Sequence, residues 1–242
     1  MDLVIPLGKG SRWEDNELRY ALRGIEKYIS GIDRLFIVGM RPEWLTGDVI
    51  HLPFEDVPGG ANRDTNIFGK IMTACRDERL SQNFLYASDD HFILSPAQAD
   101  EYPYFCKGVL TDTVAGMPDS QPYKKVLSNT VDILSRRNDT IRDYQLHCPI
   151  VYDKSMFQRL KADFGPALAI QYGFAIKSVY CNHFNIPGVP YTDLKIKDPL
   201  SYQEIADAVE NRAFFSIANR ALSGGIKQFL QDIFPHKSKY EL

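Results

Sequence analysis

The chain has 242 residues, 44% of them hydrophobic and 24% charged, with a formal net charge of −3. This composition excludes disorder, collagen and coiled coil and supplies the apolar mass for a sizeable core. With 28 Lys plus Arg against 31 Asp plus Glu, there is no overall basic field for sequence-independent nucleic-acid binding, so a nucleic acid enters only as an acceptor.

The longest nearly apolar stretch, residues 167–176, includes Gln171 and is too short to span a bilayer, so no membrane insertion is expected. The start of the chain meets Lys9 and Arg12 soon after a short apolar run and does not read as a signal peptide. Cys75, Cys106, Cys148 and Cys181 are widely spaced with no C-x-x-C pair, which predicts reduced thiols and a cytoplasmic location.

In chain order, Leu3-Val4-Ile5 reads as a buried strand ending at Pro6, and Gly8-Lys9-Gly10-Ser11 as a loop. Leu18, Ala21, Leu22, Ile25 and Ile29 share one face of a helix over 16–29, which Gly31 stops. Strands follow at 35–38 and 49–52. A second helix carries Ile67, Ile71 and Cys75 on one face, with Phe68 and Met72 beside them. Phe84-Leu85-Tyr86-Ala87 is a fourth strand that runs directly into Ser88-Asp89-Asp90-His91. This β-α-β-β-α-β order predicts a doubly wound, mostly parallel sheet, in which ligands bind beyond the carboxyl ends of the strands. Further on, 122–134 reads as a helix, Asp153 caps a helix through Leu160, 173–180 is ambiguous, 213–217 is a strand and 226–233 a closing helix. No linker divides the chain. The expectation is one domain over 1–242, with a nucleotide-binding half (1–94) and an acceptor-binding half (95–242).

Asp89 and Asp90 are the most informative residues. Two adjacent carboxylates at the mouth of a buried strand repel each other, and a hard divalent cation, Mg²⁺ or Mn²⁺, resolves that repulsion while binding substrate phosphates. Asp-Asp is also common in solvated turns, but the apolar residues on both sides of this pair argue for burial. His91 reads either as a partly exposed histidine or as a donor or metal contact. His147 sits at a polar-to-apolar junction that suits a general base as well as a buried structural histidine. His183 is a weaker metal-ligand candidate. The loop with Gly8, Lys9 and Arg12 lets backbone and cations approach phosphate, although it has neither P-loop nor G-x-G-x-x-G spacing. Arg19 and Arg23 on the first helix, and Arg63, Asn66 and Lys70 on the second, form polar edges. They read either as solvated faces or as groups aimed at the crevice.

The segment Asp15-Asn16-Glu17-Leu18-Arg19-Tyr20-Ala21-Leu22-Arg23-Gly24-Ile25-Glu26-Lys27 resembles the N-E-L-R-Y-S-L-R-S-I-E-K segment of the stealth proteins, sugar-phosphate transferases of capsule synthesis related to the GlcNAc-1-phosphotransferase core. The resemblance continues through Leu35-Phe36-Ile37-Val38-Gly39, Pro42-Glu43-Trp44-Leu45 and residues 62–67 to the strand before Asp89-Asp90, where Ser88 replaces the family's Asn. It is patchy later, around His147-Cys148-Pro149 and Phe214-Phe215-Ser216. It implies a GT-A-like fold, a UDP-sugar donor, a divalent metal and a glycan or other hydroxyl-bearing acceptor. Carried over by position, Asp89 and Asp90 are the metal and diphosphate pair, Arg19 and Asn66 donor-site residues, and His147 a catalytic histidine. Ser88, beside the pair, is a further expected donor-binding residue.

The expected activity is glycosyl transfer from a nucleotide-diphosphate sugar, with Asp90 at the reaction centre and His147 or Asp153 activating the acceptor. Transfer of a hexose 1-phosphate is the alternative, followed by a catalytically silent nucleotide-sugar or glycan binding module. A metal-dependent phosphoesterase ranks last.

Overall fold

The structure, a computed structural model, describes residues 1–59, 63–136 and 140–242. The first part comprises β1 (Asp2–Leu7), α1 (Asn16–Tyr28), β2 (Ile29–Ser30), β3 (Leu35–Gly39), β4 (Ile50–Leu52), α2 (Arg63–Arg76), β5 (Asn83–Tyr86) and β6 (Phe92–Ile93). Then come β7 (Ala97–Gln98), β8 (Phe105–Cys106), α3 (Leu110–Ala115), α4 (Pro122–Leu134), β9 (Ile150–Asp153), α5 (Lys154–Phe164) and α6 (Ile176–His183). The chain continues through β10 (Val189–Pro190), β11 (Lys195–Ile196), α7 (Tyr202–Val209), β12 (Phe214–Ile217) and α8 (Gly224–Ile233). Asn62, part of the resemblance above, lies outside the described residues.

The main sheet has the order β4-β3-β1-β5-β9. All its pairings are parallel except β5 with β9. The predicted α/β class, a mostly parallel mixed sheet flanked by helices, is therefore present, with an antiparallel edge that the apolar pattern did not announce. The sheet draws on both expected halves of the chain, because β9 comes from the second.

Period-two alternation sorts the strands onto two faces. Val4, Phe36, Val38, Phe84 and Tyr86 pack with Phe68, Ile71 and Cys75 of α2. Leu3, Ile5, Leu35, Ile37 and Leu85 pack with Leu18, Leu22 and Ile25 of α1. With helices on both faces, β1 and β3 are buried runs rather than alternating ones. All four cysteines are buried and free.

β1 continues through Pro6 to Leu7 instead of ending at the proline. Leu3 N–H donates to Arg34 in the β3 direction, while Val4 C=O accepts from Ala87 in the β5 direction. Alternation turns the Pro6 nitrogen toward β5, but the β1–β5 ladder ends at Val4↔Tyr86, so Pro6 leaves no donor position empty. There β1 and β5 diverge, one continuing the sheet toward β3 and the other toward β9. This is the topological switch point, where an open α/β sheet forms its crevice.

A second sheet, ordered β11-β12-β6, pairs β12 with β11 in parallel and with β6 antiparallel. Phe92 and Phe215 of this sheet pack with Ile205 of α7 and Ile226 and Phe229 of α8. Gly24 lets α1 approach β6, since a Cβ there would lie 3.3 Å from the Ile93 backbone. No helix among the described residues is long and apolar enough to cross a membrane.

Candidate functional site

The carboxyl end of β1 is fixed by a buried cation. Lys70 Nζ donates to Leu7 C=O at 2.9 Å and pairs with Asp56 at 2.8 Å. Gly39 makes room for this contact: its φ is +112°, and a Cβ there would lie 2.8 Å from Lys70 Cε. The loop after β1 then arranges the start of α1. Ser11 Oγ accepts from the Trp13 and Asp15 N–H groups and donates to Glu17 Oε2 at 2.8 Å. Glu17 is buried, and its Oε1 has no hydrogen-bond partner among the described residues.

At the end of β5 the chain makes a tight turn. His91 N–H donates to Ser88 C=O, and Ser88 N–H donates back to His91 Nδ1 at 3.2 Å. His91 is buried, and burial together with the nearby Lys177 and His147 pushes its imidazole well down, which keeps Nδ1 an acceptor. It is a clamp that shapes the Asp89-Asp90 turn. Ser88 Oγ meets Tyr86 OH at 3.2 Å on the same turn. Burial, then the Asp90 and Glu17 charges, push the Asp89 carboxyl up to about 7. Asp89 forms no ion pair among the described residues, whereas Asp90 pairs with Lys195 Nζ at 3.2 Å.

His147 reaches the end of β5 because β9 is antiparallel. Ile150 pairs with Tyr86, so the residues just before β9 lie where β5 ends. The imidazole Nδ1 lies 2.7 Å from Asp193 Oδ2, and its backbone N–H donates to Asp193 Oδ1 at 3.0 Å. Lys177, itself buried, donates to the carbonyls on either side, Leu146 at 2.7 Å and Cys148 at 2.5 Å. Burial lowers the His147 imidazole, partly offset by Asp193. Burial of Asp193 works the other way, but the His147 hydrogen bond and the charges of His147 and Lys107 overcome it and hold that carboxyl below its usual range. At neutral pH the pair is carboxylate and neutral imidazole, with Nδ1–H toward Asp193 and the Nε2 lone pair open to a proton. The Asp90 charge also acts on His147, which places the two in one electrostatic neighbourhood.

Several expected site residues lie elsewhere. Asp153 pairs with Asn83 at the opposite end of β5, where its carboxylate caps α5 through Met156 N–H. It is a cap, as the sequence allowed, and not a base for this crevice. His183 ends α6 with Nε2 2.7 Å from Asp163 and its ring against Phe164 and Phe184, which corrects its assignment as a metal ligand beside Asp89. Arg19 and Arg23 do not point a free guanidinium at a donor. Both bind Glu241, at 3.2 and 2.7 Å, and Arg19 also stacks over Trp44. Asn66 spends both ends of its carboxamide on the Val57 backbone. Lys70 holds the end of β1 as described. Gly8 lies within reach of Asp56 and Lys70, while Lys9 and Arg12 are exposed on the same loop.

Four residues here were not among those expected: Glu17, Lys177, Asp193 and Lys195. Asp193-Leu194-Lys195-Ile196 alternates polar and apolar, a strand signal that places both charges on one face. Glu17 lies inside the segment that carries the resemblance, but an acid in a first helical turn also reads as a dipole partner.

The residues present fit a hard divalent ion. Asp89, its carboxyl pushed up to about 7 by burial and by the Asp90 and Glu17 charges, is a group that a bound cation would ionise. It has no ion-pair partner among the described residues, and Asp90 next to it is a second oxygen donor. Among the described residues no group of three or more His, Cys, Asp or Glu side chains converges to hold a metal. The protein would thus supply two carboxylates and leave the other positions to phosphate and water, the manner in which Mg²⁺ is usually held.

No family model matches the chain. Among characterised proteins, it is 34% identical to the human N-acetylglucosamine-1-phosphotransferase subunits alpha/beta and 33% identical to the mouse protein, each over 106 residues and 40% of this chain. The match takes in 8% of the human and 9% of the mouse protein, so this chain spans a small part of those relatives' length. Among solved structures, the galactosyltransferase LgtC with donor and acceptor sugar analogues aligns over 99% of this chain and 98% of its own, at 10% identity and a TM-score of 0.46. At that TM-score the likeness adds nothing to the α/β architecture described above.

Proposed function

We propose that the chain is a transferase that takes a nucleotide-diphosphate sugar, with UDP-sugar as the first choice, and hands its sugar moiety to an acceptor hydroxyl. The observation that supports this most is the meeting, at one switch point, of the Asp89-Asp90 turn and the Asp193-oriented His147. The likeness to N-acetylglucosamine-1-phosphotransferase subunits supports a transferase that acts on sugars.

A divalent ion on Asp89 and Asp90 would offset the charge that builds on the leaving phosphate. The protein's own contribution follows from its geometry. Asp193 fixes the tautomer of His147, so Nε2 accepts the proton of the acceptor hydroxyl as it attacks. Lys177 holds the two carbonyls that flank His147. His91 and the Ser88 backbone keep the carboxylate turn in shape.

The bond broken separates two readings. Attack at the anomeric carbon forms a glycosidic bond and releases the nucleoside diphosphate. Attack at the β-phosphorus forms a P–O bond to the acceptor, breaks the pyrophosphate P–O bond and releases the nucleoside monophosphate. The first was the leading expectation from the sequence; the likeness to a GlcNAc-1-phosphotransferase favours the second. Incubation with a panel of UDP-sugars, Mg²⁺ or Mn²⁺ and candidate glycans, followed by nucleotide chromatography, decides: UMP supports phosphosugar transfer and UDP glycosyl transfer. Absence of both, with every donor and metal, would contradict the transferase reading.

A further inference from the structure

Asp90 already has a cation. Its Oδ2 lies 3.2 Å from Lys195 Nζ, with the two side chains 21% and 20% exposed. The second sheet creates this contact. Lys195 begins β11 and is in register with Ser216 of β12, while Phe215 beside it is in register with Phe92, two residues past Asp90. Asp193, two residues before Lys195, holds His147, and the Lys195 charge acts on that imidazole. Lys195 therefore sits between the carboxylate turn and the histidine, where a donor diphosphate and its acceptor would meet.

A divalent ion and an ammonium group cannot share Asp90 comfortably. They draw on the same oxygen and repel each other. Lysine resolves this more readily than arginine would, because its charge is a compact point on a flexible four-carbon stem. An ammonium displaced from Asp90 can pair instead with the diphosphate that accompanies the metal.

We propose that Lys195 is a diphosphate-binding residue that changes partners, pairing with Asp90 while the crevice is empty and moving to the donor's phosphates when Asp90 takes the metal. This rests on the reading of Asp89-Asp90 as the metal and diphosphate site. Two consequences have opposite signs. Lys195 opposes binding of the metal alone, and it favours binding of metal and diphosphate together. A lysine that served only as a counter-ion for Asp90 would do the first without the second.

The test is calorimetric titration of the full chain with Mn²⁺ alone and with inorganic pyrophosphate in saturating Mg²⁺, comparing wild type with Lys195→Met and Lys195→Gln. Pyrophosphate makes the readout independent of sugar and base. The expected result is Mn²⁺ binding several-fold tighter in both variants and magnesium pyrophosphate binding at least tenfold weaker. Pyrophosphate affinity within twofold of wild type in a folded variant would overturn the role of Lys195. Failure of the wild-type protein itself to bind magnesium pyrophosphate would instead overturn the reading of the carboxylate site, and the assignment of Lys195 with it.

Discussion

Asp193 holds His147 at two points, through the ring nitrogen at 2.7 Å and through the backbone N–H at 3.0 Å. A carboxylate that engages both fixes where the imidazole stands and which nitrogen carries its proton. Asp193→Asn keeps the shape but removes the strong acceptor, so Nδ1–H is no longer favoured. The expected outcome is a loss of roughly 10²–10⁴-fold in kcat, the usual scale for general acid–base groups, with an unchanged far-UV circular dichroism spectrum. Turnover within threefold of wild type would contradict the role given to His147.

Lys177 has a separate task, visible in the folded protein without any substrate. Lys177→Met leaves the Leu146 and Cys148 carbonyls buried and without their donor. The cost should be about 2–4 kcal/mol of stability, on the scale of lost hydrogen bonds from a charged group, read by urea denaturation. The His147 side-chain NMR resonances should broaden or shift because the loop that carries the ring loosens. An unchanged His147 spectrum would show that Lys177 does not position it.

Asp89 makes the stability of the fold fall as pH rises. Burial, Asp90 and Glu17 raise its folded-state pKa to about 7, above the unfolded value of about 3.9. The folded protein therefore holds this proton more tightly than the unfolded chain. The contribution of Asp89 to stability is fully present below the unfolded pKa, declines as pH rises toward 7, and is gone above it. The Tm of wild-type protein in chelator should consequently fall between pH 5 and pH 8 relative to Asp89→Asn, which has no such titration. Added Mg²⁺ should restore more of the wild-type Tm at pH 8 than at pH 5. Parallel curves for the two proteins would refute the assignment.

Glu241 is the shared partner of Arg19 and Arg23. Its side chain is fully buried between the two guanidiniums. Glu241→Ala strands both charges and should cost about 3–5 kcal/mol, the usual result of breaking a buried pair from one side. Arg19→Ala should lower the Tm while leaving the KM for donor within about twofold of wild type. A large rise in KM with little change in Tm would return Arg19 to the donor site.

What the sequence made legible follows the range of the interactions. Strands β1, β3 and β5 announce themselves as short apolar runs and helices α1 and α2 by a periodic apolar face, each within its own few residues. The Asp89-Asp90 turn is legible for a related reason: the strand before it points its end at the crevice. Relationships between distant segments are not visible in this way. Arg23 meets Glu241 across 218 residues, and Asp90 meets Lys195 across 105. β11 is two residues long, and the alternation around it does not say which distant group Lys195 meets. Asp153 and His183 carry the right chemistry, but an antiparallel β9 and the far end of α6 put them away from the crevice. Only the sheet order reveals that.

The central claim is that Asp89 and Asp90 together hold a metal-bound diphosphate. It is tested most directly by titrating UDP into wild-type protein and into the double variant Asp89→Asn/Asp90→Asn, each with Mg²⁺ and with chelator. UDP binding should require Mg²⁺ in the wild type and be lost in the folded double variant. Equal UDP affinity in the two proteins, or binding indifferent to Mg²⁺, would contradict it.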